Sequence, residues 1–331
     1  KSDKIDLILA TGGSPMVRAA YSSGNPAIGV GPGNNPAYVD ESADVAKAAK
    51  LIADSKAFDN SILCTNESAV IAHAAIAGRL AEELKRNGCH MLSGEERDRL
   101  AEHLFPAGKF NVSLLGKSAA TIAESAGIRV PRGTRVLLAP LERIGDDYPL
   151  SREKLCPVLG FFEVATREAA LTACRAMVRN RGAGHSAAIH AADPQMILRF
   201  AAVLRVAINV GCSTGAAGFD TFLAPSMTIG TGFLGRSSVG ENIGPQHLVQ
   251  WTRIAYDRTA AMPSYAGLTL PEPPTRPRLP VGKIDYSFDW VGGTPSRPAN
   301  APAAEPPEDD LRAEIRALIL EELRALRNGD A

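Results

Sequence analysis

Phe58-Asp59-Asn60-Ser61-Ile62-Leu63-Cys64 is the stretch on which the reading of this chain turns. It closes a helical pattern, makes a short polar turn and delivers one thiol to the start of an apolar run. Upstream, Val45, Ala49, Ile52 and Ala53 recur at helical spacing within 43–58, and Asp40 and Asp44 supply capping side chains. Downstream, 68–72 (Ser-Ala-Val-Ile-Ala) predicts a short buried strand. A cysteine at such a junction is either reactive or simply a small buried hydrophobe. The turn by itself leaves both readings open.

Working outward, the same alternation recurs along the chain. Residues 5–10 predict a strand that runs into Thr11-Gly12-Gly13-Ser14 and a helix over 15–22, a junction whose backbone N–H groups suit a phosphate or a ribose. A strand over 27–30 is followed by a loop over 31–36, where glycines and prolines bar regular structure. Helices are expected over 75–85, 95–104, 119–126, 168–179 and 194–204, and strands over 135–140, 161–165, 187–190 and 206–210. Residues 230–245 are glycine-rich and poor in regular pattern, and 247–256 reads as a helix. Strand and helix in alternation predict an α/β fold on a parallel sheet.

Composition narrows the function classes. The 331 residues are 45% hydrophobic, enough for a sizeable core. The 36 basic residues balance the 36 acidic ones, so no global field favours nucleic acid or an anionic membrane. Cysteines 64, 89, 156, 174 and 212 form an odd set with no C-x-x-C pair and no histidine at zinc-site spacing, which predicts free thiols, a reducing cytoplasm and no metal site. No run is apolar enough to span a bilayer. The chain starts at Lys1, almost at once in a strand, and reads as a piece lacking an amino-terminal portion.

Several motifs, in order, choose between the two readings of Cys64. They are Thr11-Gly12-Gly13-Ser14, Gly29-Val30-Gly31-Pro32-Gly33-Asn34-Asn35-Pro36, the Phe-Asp-Asn-x-x-x-Cys run, Glu153-Lys154-Leu155-Cys156-Pro157-Val158, Gly182-x-Gly184-His185, and Leu223-Ala224-Pro225-Ser226 leading to Glu241-Asn242-x-Gly244-Pro245-x-His247-Leu248. From about residue 1 to 257 the chain resembles the aldehyde dehydrogenase superfamily, specifically its coenzyme A-acylating branch.

The resemblance implies Cys64 as catalytic nucleophile, NAD or NADP as cofactor and coenzyme A as co-substrate. It implies that Thr11, Gly12, Gly13 and Ser14 border the dinucleotide and that Glu153 accepts hydrogen bonds from the nicotinamide ribose. Asn60, His185 and Phe233 fall near the site with roles left open. Hydrolytic members keep a glutamate base about 34 residues before the nucleophile; counting back from 64 reaches Val30, which cannot accept a proton. Histidines 73, 90 and 103 and Cys89 are assigned to packing or surface, Cys156 to packing, and Cys212 is read as non-catalytic.

The expected organisation follows. Residues 1–32 are a remnant of a Rossmann-like dinucleotide-binding domain, 33–230 the catalytic parallel-sheet domain, and 231–262 the border of the active site. Residues 263–294 form an extended arm, a possible oligomerisation strand for a homodimer or homotetramer, and 295–307 a proline-rich linker. Residues 308–331 form an amphipathic helix in which Leu311, Ile315, Leu318, Ile319, Leu323 and Leu326 share one side, apolar except for the Glu322 carboxylate. Linker and helix together look like the encapsulation peptides of bacterial microcompartment enzymes, which implies a shell-protein partner through 308–327 and a place inside a microcompartment. The expected activity is oxidation of a small aldehyde to acyl-coenzyme A, with no nucleic-acid or membrane partner. The rivals are a hydrolytic dehydrogenase giving the free acid, and a catalytically incomplete fragment serving as scaffold or cargo.

Overall fold

A computed structural model describes residues 5–201 and 205–251, with scattered positions out to 269. The elements are β1 (Ile8–Thr11), α1 (Ser14–Ser22), β2 (Ala27–Val30), β3 (Asn35–Val39), α2 (Val45–Ala57), β4 (Glu67–His73), α3 (Ala74–Arg86), β5 (Cys89–Met91), α4 (Gly94–Leu104), α5 (Ala119–Ser125), β6 (Val136–Pro140), β7 (Val158–Val164), α6 (Arg167–Arg179), β8 (Ala187–His190), α7 (Pro194–Phe200), β9 (Val206–Ile208) and α8 (Cys212–Ala216). The expected α/β class holds. β1 and β2 form a small parallel pair, and the other seven strands form one parallel sheet in the order β5-β6-β7-β4-β3-β8-β9.

The sheet is buried on both faces, as parallel sheets are, and its strands therefore show a period of two between cores rather than between core and water. Tyr38, Ala69, Ile71, Leu137 and Ala139 join α4, α5, α6 and α7 on one face. Ala37, Val39, Val70, Ala72, Val136 and Leu138 join α2, α3 and α8 on the other. Ile52, Leu80 and Leu84 on these helices are wholly buried, each contributing about 1.5–3 kcal/mol. Helix starts are capped by side chains: Asp44 accepts from the Lys47 N–H, and Ser93 and Glu96 form a reciprocal box at α4.

Two strands depart from the sequence expectation. β3, the strand between β4 and β8, begins inside the loop expected over 31–36. Its Asn-Pro opening reads as a turn, and only Ala37-Tyr38-Val39 follow before Asp40; the register shift between Asn35 and Pro36 is what accommodates the proline. β5 is three residues long and exists by pairing with β6. The helix expected over 247–256 is replaced, among the described residues, by one short 3-10 turn at Pro245–His247.

The unit from Lys1 to Arg253 contains both sheets; the unit from Ile254 onward is separate. The linker at 295–307 and the helix at 308–331 lie outside the described residues, as does the arm beyond residue 269.

Candidate active site

Cys64 stands between α2 and β4, at the amino ends of the sheet's central strands. α2 ends in a 3-10 turn, Phe58–Ser61, in which Asp59, Asn60 and Ser61 adopt left-handed φ of 46°, 49° and 62°. Such a conformation costs an L residue roughly 1–2 kcal/mol, and Asn and Asp bear it better than most. The turn is held from outside. The Asn66 side-chain amide donates to the Ser61 carbonyl at 2.9 Å and to the Leu63 carbonyl. The Asn35 amide donates to the carbonyls of Cys64 at 2.7 Å and Asn66 at 3.0 Å. The Thr65 hydroxyl donates to the Ser213 carbonyl at 2.7 Å. At Gly33 an added Cβ would lie 2.4 Å from the Cys64 carbonyl oxygen, so a side chain there would push the nucleophile turn away.

The thiol is half-buried, whereas Cys89, Cys156, Cys174 and Cys212 are all buried. Cys64 lines a cavity of about 200 Å³ with Ile62, Leu63, Thr65, Ala217, Ser226, Met227 and Ile229. Burial, and then the nearby Glu153 carboxylate, push its pKa up to about 11, while its own backbone N–H and the Arg205 guanidinium act the other way. The resting group is therefore a thiol. Arg205 is itself buried and fixed by donating to the carbonyls of His185 at 3.1 Å and Gly230 at 3.2 Å.

Glu153 accepts a hydrogen bond from the Gly33 N–H at 3.1 Å. Burial pushes its pKa up to about 7, against the pull of that bond and of Lys56 and Lys154. These two lysines are the residues that the sequence reading missed. Both are fully buried, and burial lowers their pKa values to about 8 and about 7. Lys154 donates to the carbonyls of Ser68, Leu150 and Arg152 at 2.6–3.0 Å. Glu67 is buried as well, its Oε1 accepting from the Cys212 N–H and its Oε2 from the Ser55 hydroxyl, both at 2.7 Å. A signal existed for Lys56, which follows Ile52 by four residues and so lies on the apolar face of α2.

The other expected residues divide. Thr11 ends β1, Gly13 caps α1 and Ser14 opens it; Ser14 lines a second cavity of about 430 Å³. Arg18, Tyr21, Gly31, Pro32, Arg181, Thr231 and Arg236 also line that cavity; no carboxylate lines it, though Arg181 pairs with Asp146 at 3.2 Å. Val30, at the position of a hydrolytic base, is 0% exposed at the end of β2. His185 is 1% exposed, neither ring nitrogen has a hydrogen-bond partner, and burial and then Arg205 lower its pKa to about 3. It is a neutral imidazole in this fold. Gly184 beside it has φ +74°, and an added Cβ would lie 1.9 Å from the Thr231 carbonyl, so the strand start and the 231–236 loop pack backbone to backbone. Asn60 and Phe233 are exposed, Phe233 at 94%.

No protein-family model matches the chain. Among curated proteins it is 39% identical over 263 residues to an aldehyde-alcohol dehydrogenase of Clostridium acetobutylicum, covering 77% of this chain and 30% of that protein. It is 38% identical over 268 residues to a succinate-semialdehyde dehydrogenase (acetylating) of Clostridium kluyveri, covering 80% of this chain and 59% of that protein. Among solved structures it is similar to an acetylating aldehyde dehydrogenase from Geobacillus thermoglucosidasius, with a TM-score of 0.76, 38% identity and coverage of 80% and 59%. It is also similar to a propionaldehyde dehydrogenase from the Clostridium phytofermentans fucose utilisation bacterial microcompartment, with a TM-score of 0.65, 32% identity and coverage of 72% and 55%. The chain thus spans from about a third to three fifths of the length of the relatives it matches. Matched in both sequence and fold over most of its own length, the chain belongs to the coenzyme A-acylating aldehyde dehydrogenases.

Proposed function

We propose that this chain carries the nucleophile of an enzyme that oxidises a small aldehyde to acyl-coenzyme A with NAD(P)+. The observation that carries the reading is the pairing of Cys64, the half-buried thiol on the small cavity, with Val30 where a water-activating carboxylate would stand. The Cys64 sulfur adds to the aldehyde carbonyl to give a thiohemiacetal, its proton leaving as the bond forms, and the Cys64 N–H stabilises the developing oxyanion. Loss of hydride from that carbon leaves a thioester on Cys64. The thiol of coenzyme A then attacks the acyl carbon, expels the Cys64 sulfur and carries the acyl group away.

A nicotinamide, when bound, would supply the hydride acceptor. The residues present fit a dinucleotide or a coenzyme A diphosphate: the larger cavity offers Arg18, Arg181 and Arg236, the half-buried Gly31, with open space where a Cβ would stand, and Ser14 at the start of α1. Thr11, Gly12 and Gly13 are the proposed backbone border of the same ligand, and Glu153 its ribose acceptor.

One observation favours a second reading. Glu153 is a carboxylate that acts on Cys64 with a pKa near 7, a value suited to activating water against a thioester. Product analysis with and without coenzyme A separates the two. Acyl-coenzyme A formed only in its presence supports the acylating reading, and equal turnover to free acid without it overturns that reading. Running the 331-residue chain beside a longer form that includes upstream sequence shows whether the piece is catalytically complete. The tail reading is also part of the proposal: the apolar stripe of 308–327 docks the enzyme on a microcompartment shell protein. Residues 300–331 fused to a fluorescent protein should co-purify with shells; failure to do so removes this part alone.

A further inference from the structure

Lys56 lies in the last turn of α2, with its side chain wholly buried. Nζ donates to Asn66 Oδ1 at 2.5 Å and to the Lys154 carbonyl at 3.4 Å. Both acceptors are neutral, so the ammonium's direct partners in the interior are amide dipoles, with the Glu67 and Glu153 carboxylates acting from beyond hydrogen-bond contact, an arrangement that costs more than an exposed lysine would. What it gains for the fold is visible at the other end of Asn66. That amide donates to the carbonyls of Ser61 and Leu63, which bracket the turn delivering Cys64. A cation on Oδ1 polarises the amide and strengthens its N–H groups as donors. The carbonyls so gripped belong to the last of three consecutive left-handed residues and to Leu63 two positions on, a conformation the chain leaves unless it is held.

We propose that Lys56 is a positioning residue for Cys64: acting through Asn66, it holds the 61–64 turn so that the thiol stays at the small cavity. Its contact with the Lys154 carbonyl ties the same turn to the segment that bears Glu153. The ionisable groups acting on Lys56 are Glu67 at the start of β4 and Glu153, Lys154 and Cys156 on the segment before β7. Burial lowers the lysine's pKa to about 8, so its charge is lost just above neutrality and the grip loosens as pH rises. The inference rests on Cys64 being the nucleophile only for its purpose. Its test reads the thiol and needs no turnover, so it can fail while the proposed activity stands.

The test is alkylation of Cys64 in the intact chain by iodoacetamide, followed by peptide mass spectrometry across roughly pH 6.5–10. The four buried cysteines report any general unfolding. In the parent, Cys64 is held up by burial and labels slowly. Lys56→Met keeps the volume of the stem and removes the charge. The freed turn exposes the thiol, its pKa falls toward the ordinary value, and labelling near pH 8 rises about tenfold for each unit of fall. Asn66→Ala does the same, the double variant adds little to either single change, and Lys56→Gln, a neutral donor, falls between parent and Lys56→Met. An unchanged Cys64 profile in folded Lys56→Met overturns the proposal, as do fully additive effects of the two substitutions. Should Lys56→Met expose all five thiols, Lys56→Gln decides. Amide exchange over 61–66 loses protection in Lys56→Gln relative to the parent at the same pH, and protection equal to the parent's overturns the proposal.

Discussion

The two ends of β3 carry polar clusters of opposite character. Just past its carboxyl end, the buried Asp40 has both oxygens answered: Oδ1 by Arg167 at 2.8 Å and by the Ser42 N–H and hydroxyl, and Oδ2 by Arg167 at 2.9 Å and the Tyr38 hydroxyl at 2.8 Å. Burial works to raise its pKa, but the Arg167, Ser42 and Tyr38 hydrogen bonds outweigh it and hold the carboxyl well below the usual range. Around the amino end, Glu153, Lys56, Cys64 and His185 are all moved toward their neutral forms, with desolvation the largest cause in each. One end finishes its charges in pairs. The other leaves ionisable groups desolvated and within reach of neutral pH, the condition for acid, base and nucleophile chemistry.

That contrast is open to attack at several points. Cys64→Ser should lower dinucleotide reduction by a form extended with upstream sequence by on the order of 10³-fold or more, because a hydroxyl without a base is a poor nucleophile. Retention of the parent's rate would refute Cys64 as the nucleophile. At the paired end, Asp40→Asn should cost about 2–3 kcal/mol in denaturant unfolding, since a buried carboxylate loses its charge-assisted hydrogen bonds while the partly exposed Arg167 keeps Asp193 and Glu41. The sign in acid follows from the depressed pKa. Asp40 contributes stability above its unfolded value of about 3.9, and that contribution is lost as pH falls through the lower folded value.

Glu153 should show the reverse slope. Its folded pKa is raised to about 7, so between about pH 4.3 and 7 the folded state keeps a proton that the unfolded chain releases, and stability falls as pH rises through that window. Glu153→Gln should flatten this slope, a change on the order of 2 kcal/mol after solvent screening, and also lower the Cys64 pKa by removing a nearby negative charge. Thermal unfolding across pH and thiol labelling check the two halves. The smallest effect is expected at the strained turn. Ser61→Gly removes a Cβ at φ 62° and a buried hydroxyl without a partner, and should raise stability by about 1 kcal/mol. If its denaturation midpoint does not move, the left-handed run stores no strain.

How much of this was legible depended on sequence separation. The β1-turn-α1 unit, α2, β4 and β8 are local patterns, and the structure places them within a few residues of where periodicity does. Cys64 at the join of α2 and β4 is of the same kind. β3 was lost because Asn35-Pro36 reads as a turn and its strand character comes from pairing with β4 on one side and β8 on the other. Glu153 was found by its motif, but its bond to Gly33, 120 residues away, was not readable from either segment. Lysine is by default a surface residue: Lys56 carries only the weak local signal of its place on the apolar face of α2, and nothing local says that Lys154 is enclosed.

The sequence by itself determined the alternation of strand and helix, short of β3 and β5, and the delivery of one thiol by a polar turn, because both follow from spacing over a few residues. The tertiary structure alone decided which groups around that thiol are charged. Desolvation depends on what encloses a side chain, and here α2, the 153–156 segment and Arg205 are brought together from distant parts of the chain.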